Sequence, residues 1–106
     1  MYKPGLKIYR RVGEEIFFHP RGVDDDKTVI RLIEADTDGV KIQIISSSGE
    51  VDDDQMETGE KLVFGEKSHE LVLHLDECMG GHASFRALAG PEVVVRRVVS
   101  DERRTK

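Results

Sequence analysis

The chain has 106 residues, a net charge of −5, one cysteine and 6% aromatic residues. That length fits one compact domain, which buries roughly two-thirds of the surface its extended chain would expose and can form a core without covalent staples. The lone Cys78 excludes an internal disulfide framework, the absence of a long apolar run excludes a membrane-spanning helix, and the basic start, Met1 to Arg11, excludes a signal peptide, so a cytoplasmic location is expected.

Short apolar runs with two-residue alternation and many β-branched residues dominate the chain, and no segment keeps a helical period over a dozen residues. Strands are predicted near 6–11, 14–19, 28–34 and 40–46, then near 60–65, 69–76, 83–88 and 92–99. Turn signals separate them at Pro20-Arg21-Gly22, Asp38-Gly39, Ser48-Gly49, Gly80-Gly81 and Gly90-Pro91. The expected fold is all-β, a small barrel or sandwich of about eight or nine strands in a single domain over 1–106.

The two groups of strands resemble each other. Gly13, Glu14, Ile16 and Phe18 match Gly59, Glu60, Leu62 and Phe64 at an offset of 46. Beyond the longer loop at 19–27 the offset is read as 42, with Val29 to Ile33 facing Leu71 to Leu75, although the apolar phase at 40–45 then slips by one residue against 83–88. The division is repeat one at 1–51, an acidic junction at 52–57, repeat two at 58–99 and a short basic tail at 100–106. One such unit exposes an unpaired edge and cannot bury its apolar face, so two copies covering each other, a single-chain pseudo-dimer, satisfy both needs.

Charge is distributed unevenly. Residues 1–11 carry +4 and residues 96–106 carry +3, whereas 12–95 carries −12. An acidic body with basic ends presents a positive patch only where the ends meet. Arg10, Arg11, Arg96 and Arg97 are otherwise a charged strand edge that discourages aggregation.

Other chemistry finds little support. His69, His74, Cys78 and His82 include zinc-ligand types, but 74, 78 and 82 share a face only on a helix, and 69 and 74 fall on opposite faces of a strand. Asp36-Thr37-Asp38-Gly39 resembles the start of a calcium loop, yet strand residues follow, so a hairpin turn is expected. The Asp24-Asp25-Asp26 and Asp52-Asp53-Asp54 runs read as solvated loops. There is no nucleophile elbow and no phosphate-cradling loop, so no metal, no cofactor and no enzyme activity are expected.

Ile8-Tyr9-Arg10-Arg11-Val12-Gly13-Glu14 and Ala89-Gly90-Pro91-Glu92-Val93-Val94-Val95-Arg96-Arg97 resemble the opening and closing motifs of the CsrA/RsmE carbon storage regulators. The likeness covers 58–99 and, more weakly, 6–51. Members of that bacterial family are homodimers of interlaced five-stranded chains that bind single-stranded GGA in RNA hairpin loops and block ribosome access. The resemblance implies translational regulation through a composite RNA site formed by one copy's first strand and the other's last. Carried over, the site comprises Ile8, Tyr9, Arg10 and Arg11 with Val94, Val95, Arg96 and Arg97, Arg97 matching the family's most direct RNA contact and Tyr9 offering a stacking platform. The stretch 51–57 is too short for two strands and carries four acids, so the second site is expected to be lost. The alternative is a protein-interaction module on the same scaffold, binding a basic partner through its acidic surface.

Overall fold

The protein is described by a computed structural model covering residues 5–23, 25–65 and 70–97, with the backbone alone at Arg97. His69 and the ends of the chain, including 98–99 and the basic tail, lie outside the described residues.

The alternating residues form strands wherever one face can be buried. β1 is Leu6–Arg11, β2 Glu15–Pro20, β3 Thr28–Ala35 and β4 Val40–Ile45. β5 is Val51–Met56, β6 Lys61–Phe64, β7 Leu71–Met79, β8 His82–Ala89 and β9 Val93–Arg97. All pairings are antiparallel, in a four-stranded sheet of order β1-β8-β7-β6 and a five-stranded sheet of order β5-β4-β3-β2-β9. β7 shows the alternation best, with Leu71, Leu73 and Leu75 fully buried and Val72, His74 and Asp76 between them only partly so. The inner faces of the sheets share one core, which includes Ile8, Ile16, Ile30, Ile42 and Phe85.

The sheets stay open, and the barrel alternative is corrected to a two-sheet arrangement. Closure would require the edge strands β1 and β6 of one sheet to pair with β5 and β9 of the other. Instead β1 bonds to β8 and β9 to β2, and the turn at Val12-Gly13-Glu14 carries the chain from one sheet into the other rather than into a hairpin. Gly13 holds φ at 96°, a conformation that disfavours any side chain, while its N–H donates to Leu32 O at 2.7 Å.

The turn into β6 is built in the same way. Gly59 has φ of 92° and its N–H donates to Leu75 O at 2.8 Å. Leu32 N–H donates to Glu14 O, as Leu75 N–H does to Glu60 O, each at 3.0 Å. The Glu14 carboxylate accepts from Arg11 N–H, as the Glu60 carboxylate does from Glu57 N–H, each at 2.8 Å. β3 and β7 also shift register at matching places, between Leu32 and Glu34 and between Leu75 and Glu77.

These equivalences replace the offset of 42 by 43. Ile30 pairs with Ile44 and Leu32 with Ile42, as Leu73 pairs with Ala87 and Leu75 with Phe85. With that offset the phase slip disappears, because Val40 and Ile42 coincide with Ala83 and Phe85, all buried.

The acidic stretch 51–57 contains a strand that alternation did not reveal. β5 pairs with β4 from Ile45–Val51 to Val40–Met56, and only Met56 is buried. Gly39 permits this approach, since a Cβ there would overlap the Met56 carbonyl oxygen. The Asp36 loop is a turn as expected, its carboxylate accepting from Asp38 N–H at 2.8 Å and Gly39 N–H at 3.2 Å. Among the described residues no helix is long and apolar enough to cross a membrane.

Candidate nucleic-acid interface

β1 presents two different faces. Ile8 and Arg10 point inward: Ile8 is 1% exposed, so its side chain belongs to the core rather than to a ligand surface. The Arg10 side chain is 12% exposed and folds back, donating from Nε to Tyr9 O at 2.7 Å and from Nη1 to Glu15 O at 3.3 Å, with the Glu14 carboxylate 3.8 Å from Nε. Arg10 therefore ties the end of β1 to the start of β2.

Lys7, Tyr9 and Arg11 occupy the outer face and are exposed. Across the ladder stand Arg86 opposite Lys7, Ser84 opposite Tyr9 and His82 opposite Arg11. Tyr9 is 55% exposed, its ring centroid 5.1 Å from that of His82, and its hydroxyl bonds to His82 Nδ1 at 2.6 Å. That bond fixes the aromatic ring on the surface while leaving ring area open to stacking. The result is an outer strip of two or three cations flanking an aromatic platform.

Arg86 in this strip is partly neutralised by Asp76, to which it donates from Nη2 at 2.9 Å and from Nε at 3.3 Å. The Arg86 hydrogen bond holds the Asp76 carboxyl below its ordinary value of 3.8, assisted by the nearby charges of Arg86, Lys7 and His74 and opposed by burial. A carboxyl depressed in the folded state stabilises the fold fully above that ordinary value, and the contribution fades as pH falls through the lowered one. In urea titrations Asp76→Asn is expected to lower the midpoint slightly at pH 7, with the difference from wild type fading as pH falls from 3.8 through the lowered value. A difference that persists unchanged into acid would show that the carboxylate charge is not its source.

β9 also splits between two faces. Val93 is buried and Val95 packs against the core, whereas Val94 is only half-buried and Arg96 is exposed opposite Phe17 of β2. Lys27 Nζ lies 4.7 Å above the Phe17 ring, so a second cation adjoins Arg96. Arg97 pairs with Ile16 through the backbone.

The predicted residues thus lie on edge strands of different sheets, and β1 and β9 are not hydrogen-bonded neighbours. What links their ends is β2. β2 follows β1 through the Gly13 turn, Arg10 reaches the Glu15 carbonyl, and the next residue, Ile16, pairs with Arg97. Lys7, His82 and Arg86 join the strip although the sequence did not assign them to it: Lys7 shares the outer face of β1, and the β1–β8 register sets His82 and Arg86 beside it. Among the described residues no cluster of three or more metal-ligating side chains is present, and Thr58 Oγ1 is the hydroxyl beside Cys78 Sγ, at 3.4 Å.

No protein-family model matches this chain, and neither a curated protein nor a solved structure matches it.

Proposed function

We propose that the protein is a CsrA-like, single-chain pseudo-dimer that binds single-stranded GGA-type RNA at one site, formed where the ends of β1 and β9 meet. The reading is carried chiefly by the strand order. β1 of the first group edges the sheet built from the second group, and β9 of the second group edges the sheet built from the first, the interlacing that the family resemblance implies. The matched Gly13 and Gly59 turns support two copies of one unit. Within that scheme β5 takes the place of the second unit's first strand, carrying Asp52, Asp53 and Asp54 where β1 carries basic residues. Phosphates are repelled there and attracted at the β1–β9 corner. The exposed Tyr9 ring supplies a stacking surface of the kind that single-stranded RNA uses.

Anisotropy titration with a GGA-loop hairpin RNA tests the proposal. Wild type is expected to bind the GGA loop more tightly than a scrambled loop, and Arg97→Ala is expected to lose about 10-fold or more, the worth of one charge-assisted hydrogen bond. Equal binding of the two loops, or no change on removing the Arg97 side chain, would overturn it.

A further inference from the structure

The two sheets follow the same plan except at one edge. In the five-stranded sheet β2 is flanked on its outer side by β9, while in the four-stranded sheet the order ends at β6. β2 and β6 are otherwise equivalent, since they are entered by turns with the same hydrogen bonds and pair with β3 and β7 alike. Burial registers the difference. Ile16 and Phe18 are buried beside β9, whereas Leu62 and Phe64 at the matching places are half-buried, although Phe64 still packs edge-on against Phe18 at 5.6 Å.

The β6 edge has its polar groups aimed outward. Leu75 N–H donates to Glu60 O, so the antiparallel alternation directs the amides of Leu62 and Phe64 toward β7 and those of Lys61 and Val63 away from the sheet. Among the described residues no strand pairs with that side, and Val63 is 53% exposed. Such an edge is a template for strand addition.

We propose that the β6 edge docks an extended segment of a partner protein, apolar along its length and basic at its C-terminal end, as a fifth antiparallel strand. Charge selects this occupant. An antiparallel addition places the incoming C-terminal end beside the start of β6, next to a cleft lined by Glu34, Asp36, Asp38, Glu57 and Glu60 with Lys41. β9 shows the fitting chemistry on the equivalent edge, where its valines face Pro20, His19 and Phe18 and its C-terminal arginines face Phe17 and Ile16 at the start of β2. A second copy of this chain is a poorer occupant, because each copy brings a net charge of −5. The inference requires nothing of the basic strands and stands apart from the RNA reading.

The test uses a fluorescein-labelled peptide of the β9 sequence, Pro-Glu-Val-Val-Val-Arg-Arg, titrated into the full chain, with amide hydrogen exchange as the second readout. Saturable binding is expected, with slower exchange at Lys61 and Val63 and no change at Phe17. Val63→Pro, which removes an outward donor, should weaken binding at least 10-fold, and the exposed-turn change Glu57→Lys should weaken it severalfold and flatten its salt dependence. If Val63→Pro fails to fold, Glu57→Lys and the exchange pattern decide. The proposal is overturned by no binding, by equal binding of a scrambled peptide, or by exchange changes at Phe17 in place of Val63, which would mean displacement of β9. Protection of Val63 in the free chain would equally overturn it, showing the edge covered by the chain itself or, if protection rises with protein concentration, by a second copy.

Discussion

Phe85→Ala is expected to cost about 3–5 kcal/mol, the usual range for emptying an aromatic site in a packed core. Phe85 is 1% exposed and lies in the centre of β8, paired with Ile8 on one side and Leu75 on the other. Both neighbours are themselves buried, and their side chains project from β1 and β7 into the same core. The ring therefore helps fix β1, whose hold on the rest of the four-stranded sheet comes through β8 alone. Domains of this size have a total stability of about 5–15 kcal/mol, so the substitution removes a large part of it or all. The melting temperature monitored by circular dichroism should fall by about 12 °C or more if the variant folds. Val51→Ala, at an exposed position of the outermost strand β5, should stay within about 0.5 kcal/mol of wild type. Similar small losses for both variants would contradict the placement of Phe85 at the junction of three strands.

The reason so much of the fold is legible in the sequence is visible at these same positions. A strand that buries one face must alternate, and Leu71, Leu73, Leu75 against Val72, His74, Asp76 does so whatever its partners are. β5 escaped because it lacks that constraint. Its residues Val51 to Gln55 are exposed, so three aspartates are tolerated, and it is held by backbone bonds to β4 rather than by burial. The offset between the two groups is obscured for a related reason: aligning Gly39 with Gly81 gives 42, whereas the buried phase of Val40 and Ile42 against Ala83 and Phe85 gives 43. Only Gly81 of the two has a positive φ, so these glycines do different work.

The site was legible only in part. Parity along β1 already separates Ile8 and Arg10 from Lys7, Tyr9 and Arg11, so four consecutive strand residues do not form one surface. Lys7 was within reach of that argument. His82 and Arg86 were not, because the β1–β8 pairing joins segments some 75 residues apart and no local pattern encodes a register between them. Nor does sequence show that Arg10 is occupied by carbonyls of Tyr9 and Glu15, which makes it a brace between the sheets more than a surface cation.

That distinction decides which charges to reverse. Arg11 and Arg96 are exposed and stand on the two strands that the RNA reading joins, one on the outer face of each sheet. Arg11→Glu combined with Arg96→Glu is expected to weaken GGA-hairpin binding by about 100-fold or more, since a hydrogen bond to a charged group contributes about 1.5–3 kcal/mol and two are exchanged for repulsion. The double variant should also flatten the salt dependence, by a log–log slope of about 0.7 for each phosphate that is no longer neutralised. Lys41→Glu supplies the control for net charge, because Lys41 is exposed on β4 beside the acidic cleft, far in the strand order from β9. If it weakens RNA binding as much as either arginine reversal, attraction is diffuse and the corner is not a site. The single reversals carry the sharper information. Should Arg11→Glu act and Arg96→Glu not, the strip on β1 and β8 would bind alone, and the crossing of β1 and β9 between the sheets would serve the fold rather than recognition. Comparable losses from each, with one RNA bound per chain in both, are what a single site shared by the two edge strands requires.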